Sequence, residues 1–276
     1  MIYIATVHYR TDKWIDLQMR YIRKHIHEPY RICACMNGLE QKYSDLYYFY
    51  SEQEGSHAEK LNCLASEIIP ISNDDDILMF IDGDAFPISS ELVPFAKEKI
   101  AKHKLVAIRR DENARDIQPH PSFCATTVGF WKQIRGDWGR GYCWKNPRGK
   151  EVTDIGGNLL KILIDNNIDW FPLTRTNKKD LHPLWFGIYG NMIYHHGAGF
   201  RPPTSRAYGV TVLDRIVLKI GREFQKHPNL LHGILRRVGD TIISGWIMIR
   251  SPQGERIYRQ ICVNEQFYLM FQTQVT

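Results

Sequence analysis

The sequence predicts an α/β protein built on a mostly parallel sheet flanked by helices, with a helical extension at its C-terminal end. Three observations carry this reading. Over the first hundred or so residues, short apolar runs alternate with amphipathic segments of helical period, the pattern of β-α-β units. One run, Ile77 to Ile81, is apolar at five consecutive positions, as in a strand covered on both faces. Beyond Pro203 the period becomes helical and stays so. Two regions follow, a catalytic-type domain over 1–203 and a basic, mostly helical extension over 204–276.

Each element has its own signal. Ile2 to Val7 is a first strand, and Asp12 to Ile26 is a helix with Trp14, Leu17, Tyr21 and Ile22 on one face and Asp12 as its N-cap. Tyr30 to Met36 alternates into a second strand closed by Asn37-Gly38, a turn pair. Tyr47 to Tyr50 forms a third, and Ser56 opens a helix that runs to Ile69, with Leu61, Leu64, Ala65 and Ile68 facing inward. Pro70 interrupts it before the buried strand at Ile77. Ser90 to Lys102 is a helix, Leu105 to Ile108 a strand, and Ser122 to Phe130 a strand rich in small residues. Asp137 to Gly149 has little period and suits a substrate-side loop in which Trp138 or Trp144 would meet an acceptor. Asp154 to Ile164 is a helix, Phe171 to Leu173 and Gly187 to Tyr194 are strands, and Val210 to Phe224 and Leu230 to Ile249 are helices.

Composition narrows the setting. The 276 residues are 43% hydrophobic and 24% charged, enough for a large core. Six cysteines are scattered without CxxC pairs or zinc-finger spacing, which points to reduced thiols and a cytoplasmic location. The apolar run at the N-terminus is too short for a signal-peptide core, and the longest late run, Thr241 to Ile249, is far below the roughly 20 residues of a spanning helix. Between Arg201 and Gln260, eleven Lys or Arg stand against four Asp or Glu; this +7 exceeds the +6 of the whole chain, so the basic excess belongs to the extension.

The sharpest chemical signal is Asp82-Gly83-Asp84, directly after the buried strand. Two carboxylates one residue apart in a turn can face a hard divalent ion such as Mn²⁺ or Mg²⁺, and the carboxyl end of a central strand in an open α/β sheet is where ligands bind. Asp84 is the direct ligand in this reading, and Asp82 meets ribose or a metal-bound water. The second signal is His195-His196-Gly197-Ala198-Gly199-Phe200-Arg201. An imidazole can complete the coordination of a transition-type ion, glycines admit backbone close to a phosphate, and Arg201 can clamp phosphate oxygens. Either histidine could be the ligand. No Walker loop and no GxGxxG turn is present, against ATPases and dinucleotide enzymes.

The order of strand, helix, Asp-x-Asp at a strand end and late histidine resembles the GT-A glycosyltransferases, with their Rossmann-like sheet, over about residues 2 to 203. His196-x-x-Gly199 followed by Arg201-Pro202 is similar to the closing motif of glycogenin-like members, although the basic residue stands one place early and is Arg. Gly55-Ser56-His57-Ala58-Glu59-Lys60 resembles a helix start of family 2-type members that lies beside the donor nucleotide, with Lys60 in place of Arg. The resemblance implies a nucleotide-sugar donor, UDP-sugars first, with base and ribose near Thr6, Tyr9 and Arg10, the nucleotide beside Lys60, further donor contacts at Asp82 and Gly83, and the diphosphate held by Arg201. An inverting reaction would need a general base; Asp154, in Val152-Thr153-Asp154-Ile155-Gly156-Gly157, is the expected one.

The acceptor class this implies is a saccharide or a lipid-linked sugar, as in surface polysaccharide or glycan assembly. The basic extension would dock on an anionic membrane or mediate self-association. A nucleotidyltransferase would also use a nucleotide and Mg²⁺ but shows a Gly-rich loop where this chain reads His8-Tyr9-Arg10-Thr11-Asp12. A nucleic-acid-binding protein would leave the Asp-x-Asp and His-His-Gly clusters without a role.

Overall fold

The computed structural model describes residues 1–9, 11–39, 41–113, 115–146, 149–177, 181, 186–197, 211–225, 232–250 and 252–272. The chain divides into two compact units, one of Met1–Pro183, Gly187–His195 and Met270–Thr276, the other of Leu184–Phe186 and His196–Leu269.

The first unit is built on a seven-stranded sheet in the order β10-β6-β7-β4-β1-β2-β3. Its strands are β1 (Ile2–Tyr9), β2 (Tyr30–Asn37), β3 (Phe49–Ser51), β4 (Ile77–Phe80), β6 (Leu105–Ile108), β7 (His120–Thr127) and β10 (Phe171–Leu173). Pairings of β1 with β2 and β4, of β2 with β3 and of β10 with β6 are parallel; β7 runs antiparallel to both its neighbours. The mostly parallel α/β sheet expected from the alternating pattern is therefore present. Alternate residues of each strand face opposite layers. One layer packs Ile4, Ile32, Ala34 and Met79 against Ile15, Met19 and Ile22 of α1 (Ile15–His25) and Leu92, Val93 and Ala96 of α3 (Leu92–His103). The other packs Ala5, Cys33, Leu78, Phe80 and Ala107 against Leu61, Leu64 and Ile68 of α2 (His57–Ile68), together with Trp131 and Leu159.

Several local expectations are corrected. Asp12 does not cap α1, which starts at Ile15 after Trp14 and has no side-chain cap; the Asp12 carboxylate accepts a hydrogen bond from Tyr43 Oη instead. The strand expected through Phe130 stops at Thr127, whose hydroxyl accepts Phe130 N–H and starts the short helix α4 (Val128–Ile134). The run Gly187 to Tyr194 is a hairpin rather than one strand: β11 (Gly187–Tyr189) turns through Gly190 and Asn191, both at φ +57°, into β12 (Ile193–His195). Three residues, Gly190, Asn191 and Met192, separate the paired Tyr189 and Ile193, and Met192 N–H closes the turn on Tyr189 O at 2.9 Å. Trp138, expected at an acceptor, is fully buried against Phe80 and Trp131, where its indole is core.

The Ser56 start of α2 carries a full capping box: its hydroxyl accepts Glu59 N–H while the Glu59 carboxylate accepts Ser56 N–H. A two-stranded piece, β8 (Trp144–Lys145) with β9 (Glu151–Val152), precedes α5 (Gly157–Asp165).

The second unit contains α6 (Val212–Gln225), α7 (His232–Arg250) and α8 (Pro252–Val263). Antiparallel α6 and α7 cross closely at Gly221, where a Cβ would stand 2.6 Å from Ile243 Cγ1. No described helix is long and apolar enough to cross a membrane.

Candidate functional site

The sheet reverses its winding at β1: β2 and β3 lie to one side, and the chain then returns through α2 to place β4 on the other. The carboxyl ends of β1 and β4 therefore form the switch-point crevice in which open α/β sheets bind ligands. Asp82 and Asp84 stand there. A tight turn with Ala85 N–H on Asp82 O at 2.9 Å sends the chain into β5 (Ala85–Pro87).

Local packing fixes this turn. Gln18, fully buried on α1, donates from Nε2 to Asp82 O at 2.8 Å and to Ala85 O at 2.9 Å, and its Oε1 accepts Thr6 Oγ1–H at 3.2 Å. Gly83 is held against β1 so closely that a Cβ would lie 2.5 Å from Val7 O and 2.8 Å from His8 Nδ1. Burial pushes the His8 imidazole down to about 4, outweighing its hydrogen bond with Gln18 and the attraction of Asp84, so the ring is neutral at physiological pH.

The third member of the site arrives from more than a hundred residues away. β12 pairs antiparallel with β5, and His195 is the register partner of Ala85. This sets His195 Nε2 3.4 Å from Asp84 Oδ1 and 3.8 Å from Asp82 Oδ2. One ligand atom from each of Asp82, Asp84 and His195 lies within 4.8 Å of the others. Asp82 Oδ1 is buried and takes no hydrogen bond among the described residues; His57 Nε2 at the start of α2 stands 3.2 Å away as an ion-pair partner. A buried carboxylate oxygen without a donor, beside a second carboxylate and an imidazole, fits a divalent cation. The mixed oxygen and nitrogen donors suit Mn²⁺ better than Mg²⁺.

The other expected site residues divide as follows. Thr6 is fully buried, and its hydroxyl acts on Gln18. Tyr9 is half exposed, and the ammonium of Lys60, itself buried, sits 4.5 Å from its ring centroid. Asp154 is half-buried in the turn before α5, its Oδ1 accepting Ile155 N–H at 2.9 Å. His196 belongs to the second unit and is buried with its ring 4.6 Å from that of Phe186. Arg10 and Arg201 lie outside the described residues.

Three neighbours of the site escaped the sequence reading. His57 could have been noticed as the first residue of the helix that carries Lys60. Gln18 and His120 gave no signal. The His120 ring is 5.8 Å from that of His195, and its Nε2 lies 3.3 Å from Arg110 Nη1. Arg110 in turn interacts with Glu112, Asp116 and Asp154. Burial raises the Asp116 carboxyl to about 7, against the opposing pull of the Gln118 N–H and Arg110, and Gln118 Nε2 donates to Ile155 O at 3.0 Å.

No family model matches the chain, and no curated protein matches it. Among solved structures it is similar to a mannosyltransferase from Pyrobaculum calidifontis in complex with GDP-Man and Mn²⁺, at 10% identity over 94% of this chain and 74% of that one, with a TM-score of 0.44. It is similar to glucosyl-3-phosphoglycerate synthase from Mycobacterium tuberculosis in complex with Mn²⁺, UDP-glucose and phosphoglyceric acid, at 14% identity over 63% of this chain and 69% of that one, with a TM-score of 0.42. A third is TarS from S. aureus, at 11% identity over 94% of this chain and 54% of that one, with a TM-score of 0.38. By its mostly parallel sheet and the Asp82-Gly83-Asp84 turn at the switch point, the chain resembles nucleotide-diphospho-sugar transferases of the GT-A type.

Proposed function

We infer that this protein is a metal-dependent glycosyltransferase that moves a sugar from a nucleotide diphosphate, UDP-sugars being the first candidates, to a saccharide or lipid-linked acceptor. The observation that carries the reading is the meeting of Asp82, Asp84 and His195 at the carboxyl ends of β1 and β4. A divalent ion held there would supply charge neutralisation to the departing diphosphate.

The residues divide the work. Asp84 and His195 are the direct ligands, and Asp82 offers its unbonded Oδ1 to the ion or to ribose. Gln18 keeps both carboxylates in place by holding the backbone on each side of Gly83. Gly83 lets the turn sit close against β1, where a side chain would collide with Val7 O and His8. Lys60 and Tyr9 form the donor side. Asp154 accepts the acceptor hydroxyl proton at Oδ2, while Oδ1 is held by Ile155 N–H.

A thermal-shift screen of nucleotide-sugars tests this. With Mn²⁺ present, the cognate donor at 100 times its dissociation constant should stabilise by about 2.7 kcal/mol, and chelation of the metal should remove the shift. No shift with any nucleotide-sugar, together with salt-sensitive oligonucleotide binding that survives Asp84→Ala, would replace the reading by a nucleic-acid-binding one. An Asp154→Asn protein that keeps full transfer activity would remove Asp154 from its role as base.

A further inference from the structure

The second unit carries an apolar surface that its packing does not use. On α6, Asp214, Leu218 and Gly221 are buried and make the face that meets the rest of the unit. On the opposite face Val212, Leu213, Ile216 and Ile220 are exposed by 72, 54, 50 and 46%. At 3.6 residues per turn these four cover an arc of about 100° along a helix about 21 Å long. Arg215, Lys219 and Arg222, all exposed, form a band along one edge of the stripe, while exposed Glu223, two turns after Ile216, stands on the stripe itself at its C-terminal end. On α7, exposed Ile234 and Val238 again stand one turn apart beside exposed Arg237.

A helix with one face packed, an apolar stripe on the other and cations at its edge has the make-up of an interfacial segment. The apolar side chains enter the boundary of the acyl chains while Lys and Arg meet anionic headgroups. A second copy of the chain fits this surface less well. Self-pairing of the stripe would bring two cationic bands together within a region that holds eleven basic residues against four acidic ones. We propose that the exposed stripe of α6 is a docking surface for an anionic lipid bilayer, on which the helix lies in the plane of the headgroups. This goes beyond the proposed activity and does not depend on it.

The full chain is tested by co-sedimentation with vesicles of phosphatidylcholine alone and of phosphatidylcholine mixed with phosphatidylglycerol. Binding to the mixed vesicles only, weakened by salt, is expected. Ile216→Glu with Ile220→Glu should weaken it more than tenfold by placing charge in the acyl boundary. Lys219→Ala and Arg222→Ala should each weaken it about fivefold. All four positions are exposed, and circular dichroism checks that helix content is kept. A Val212→Trp protein gives a second readout, a blue shift of its emission on adding mixed vesicles. Absence of binding to mixed vesicles at low salt would overturn the proposal, as would binding that the glutamate pair leaves unchanged. It would equally be overturned if wild-type protein ignored vesicles while the glutamate pair converted a dimer to a monomer, since the stripe would then cover a second copy.

Discussion

Asp82 and Asp214 are both buried carboxylates, and they are treated in opposite ways. Asp214, at the first turn of α6, has every oxygen engaged. Oδ2 accepts Thr211 N–H at 2.7 Å and Thr211 Oγ1–H at 2.8 Å, Oδ1 accepts Trp246 Nε1–H at 2.8 Å, and Arg250 Nε lies 3.1 Å from Oδ1. Among the described residues Asp82 Oδ1 takes no hydrogen bond and has only the His57 imidazole 3.2 Å away, and Asp82 shares its surroundings with a second carboxylate. Burial therefore says little about role. A carboxylate whose donors come from its own unit ties helices together, whereas one whose oxygen is left over beside another acid is arranged for a ligand of positive charge.

The sharpest way to break this comparison is to neutralise one acid of each kind. Asp84→Ala should lower sugar transfer on the order of a thousandfold, since the several kcal/mol of charge stabilisation from a divalent ion would be lost. Its melting temperature without metal should be unchanged or raised, because like charges held close repel each other. Added Mn²⁺ should no longer stabilise it. Steady-state rates and melting curves with and without Mn²⁺ decide the matter, and a large loss of metal-free stability would count against a ligand role.

Asp214→Asn should do the reverse: a clear fall in melting temperature, with Mn²⁺ stabilisation of the remaining folded protein intact. The Thr211 N–H, more than any other partner, holds the Asp214 carboxyl below its usual range. A carboxyl lowered on folding stabilises above its unfolded pKa, and that contribution fades as pH falls through the folded one. The gap in melting temperature between wild type and variant should thus be widest at neutral pH and close in acid, which a series of melts across pH would follow.

Gly83→Ala probes the same turn by shape. A Cβ 2.5 Å from Val7 O meets backbone that cannot swing aside, so overpacking of about 1–3 kcal/mol is expected. The shift should also raise the Mn²⁺ concentration needed for half-maximal stabilisation. Denaturant midpoints and a metal titration measure the two effects separately.

Much of the first unit was legible because its signals are local. Ile77 to Ile81 announced a buried strand by composition, Leu105 to Ile108 was placed at its observed bounds, and Ser56 marked the start of α2. The site was legible only as fragments. What joins Asp84 to His195 is the pairing of β12 with β5, a contact across more than a hundred residues that depends on the Gly190-Asn191 turn. Read as one strand, that run sends the histidine elsewhere. Gln18 was invisible for another reason: a buried polar residue on an apolar helix face has no meaning until the carbonyls it bonds are in place. From sequence alone α6 was only a helix in a basic extension, since which of its apolar residues face outward depends on the packed face.

The smallest effect concerns the donor side, where stability and binding can be separated. Lys60 is 2% exposed, and its ammonium lies 4.5 Å from the centroid of the Tyr9 ring. Tyr9→Leu keeps apolar cover over Lys60 but removes the electron-rich face, a loss of about 0.5–2 kcal/mol for a cation held in this way. That shift would show in a urea midpoint. If Tyr9 also stacks on the nucleotide base, as the proposed donor site requires, the dissociation constant for the cognate nucleotide-sugar should rise by at least tenfold, while Tyr9→Phe, which keeps the face, should leave both quantities close to wild type. Equal donor affinity in all three proteins would confine Tyr9 to its contact with Lys60.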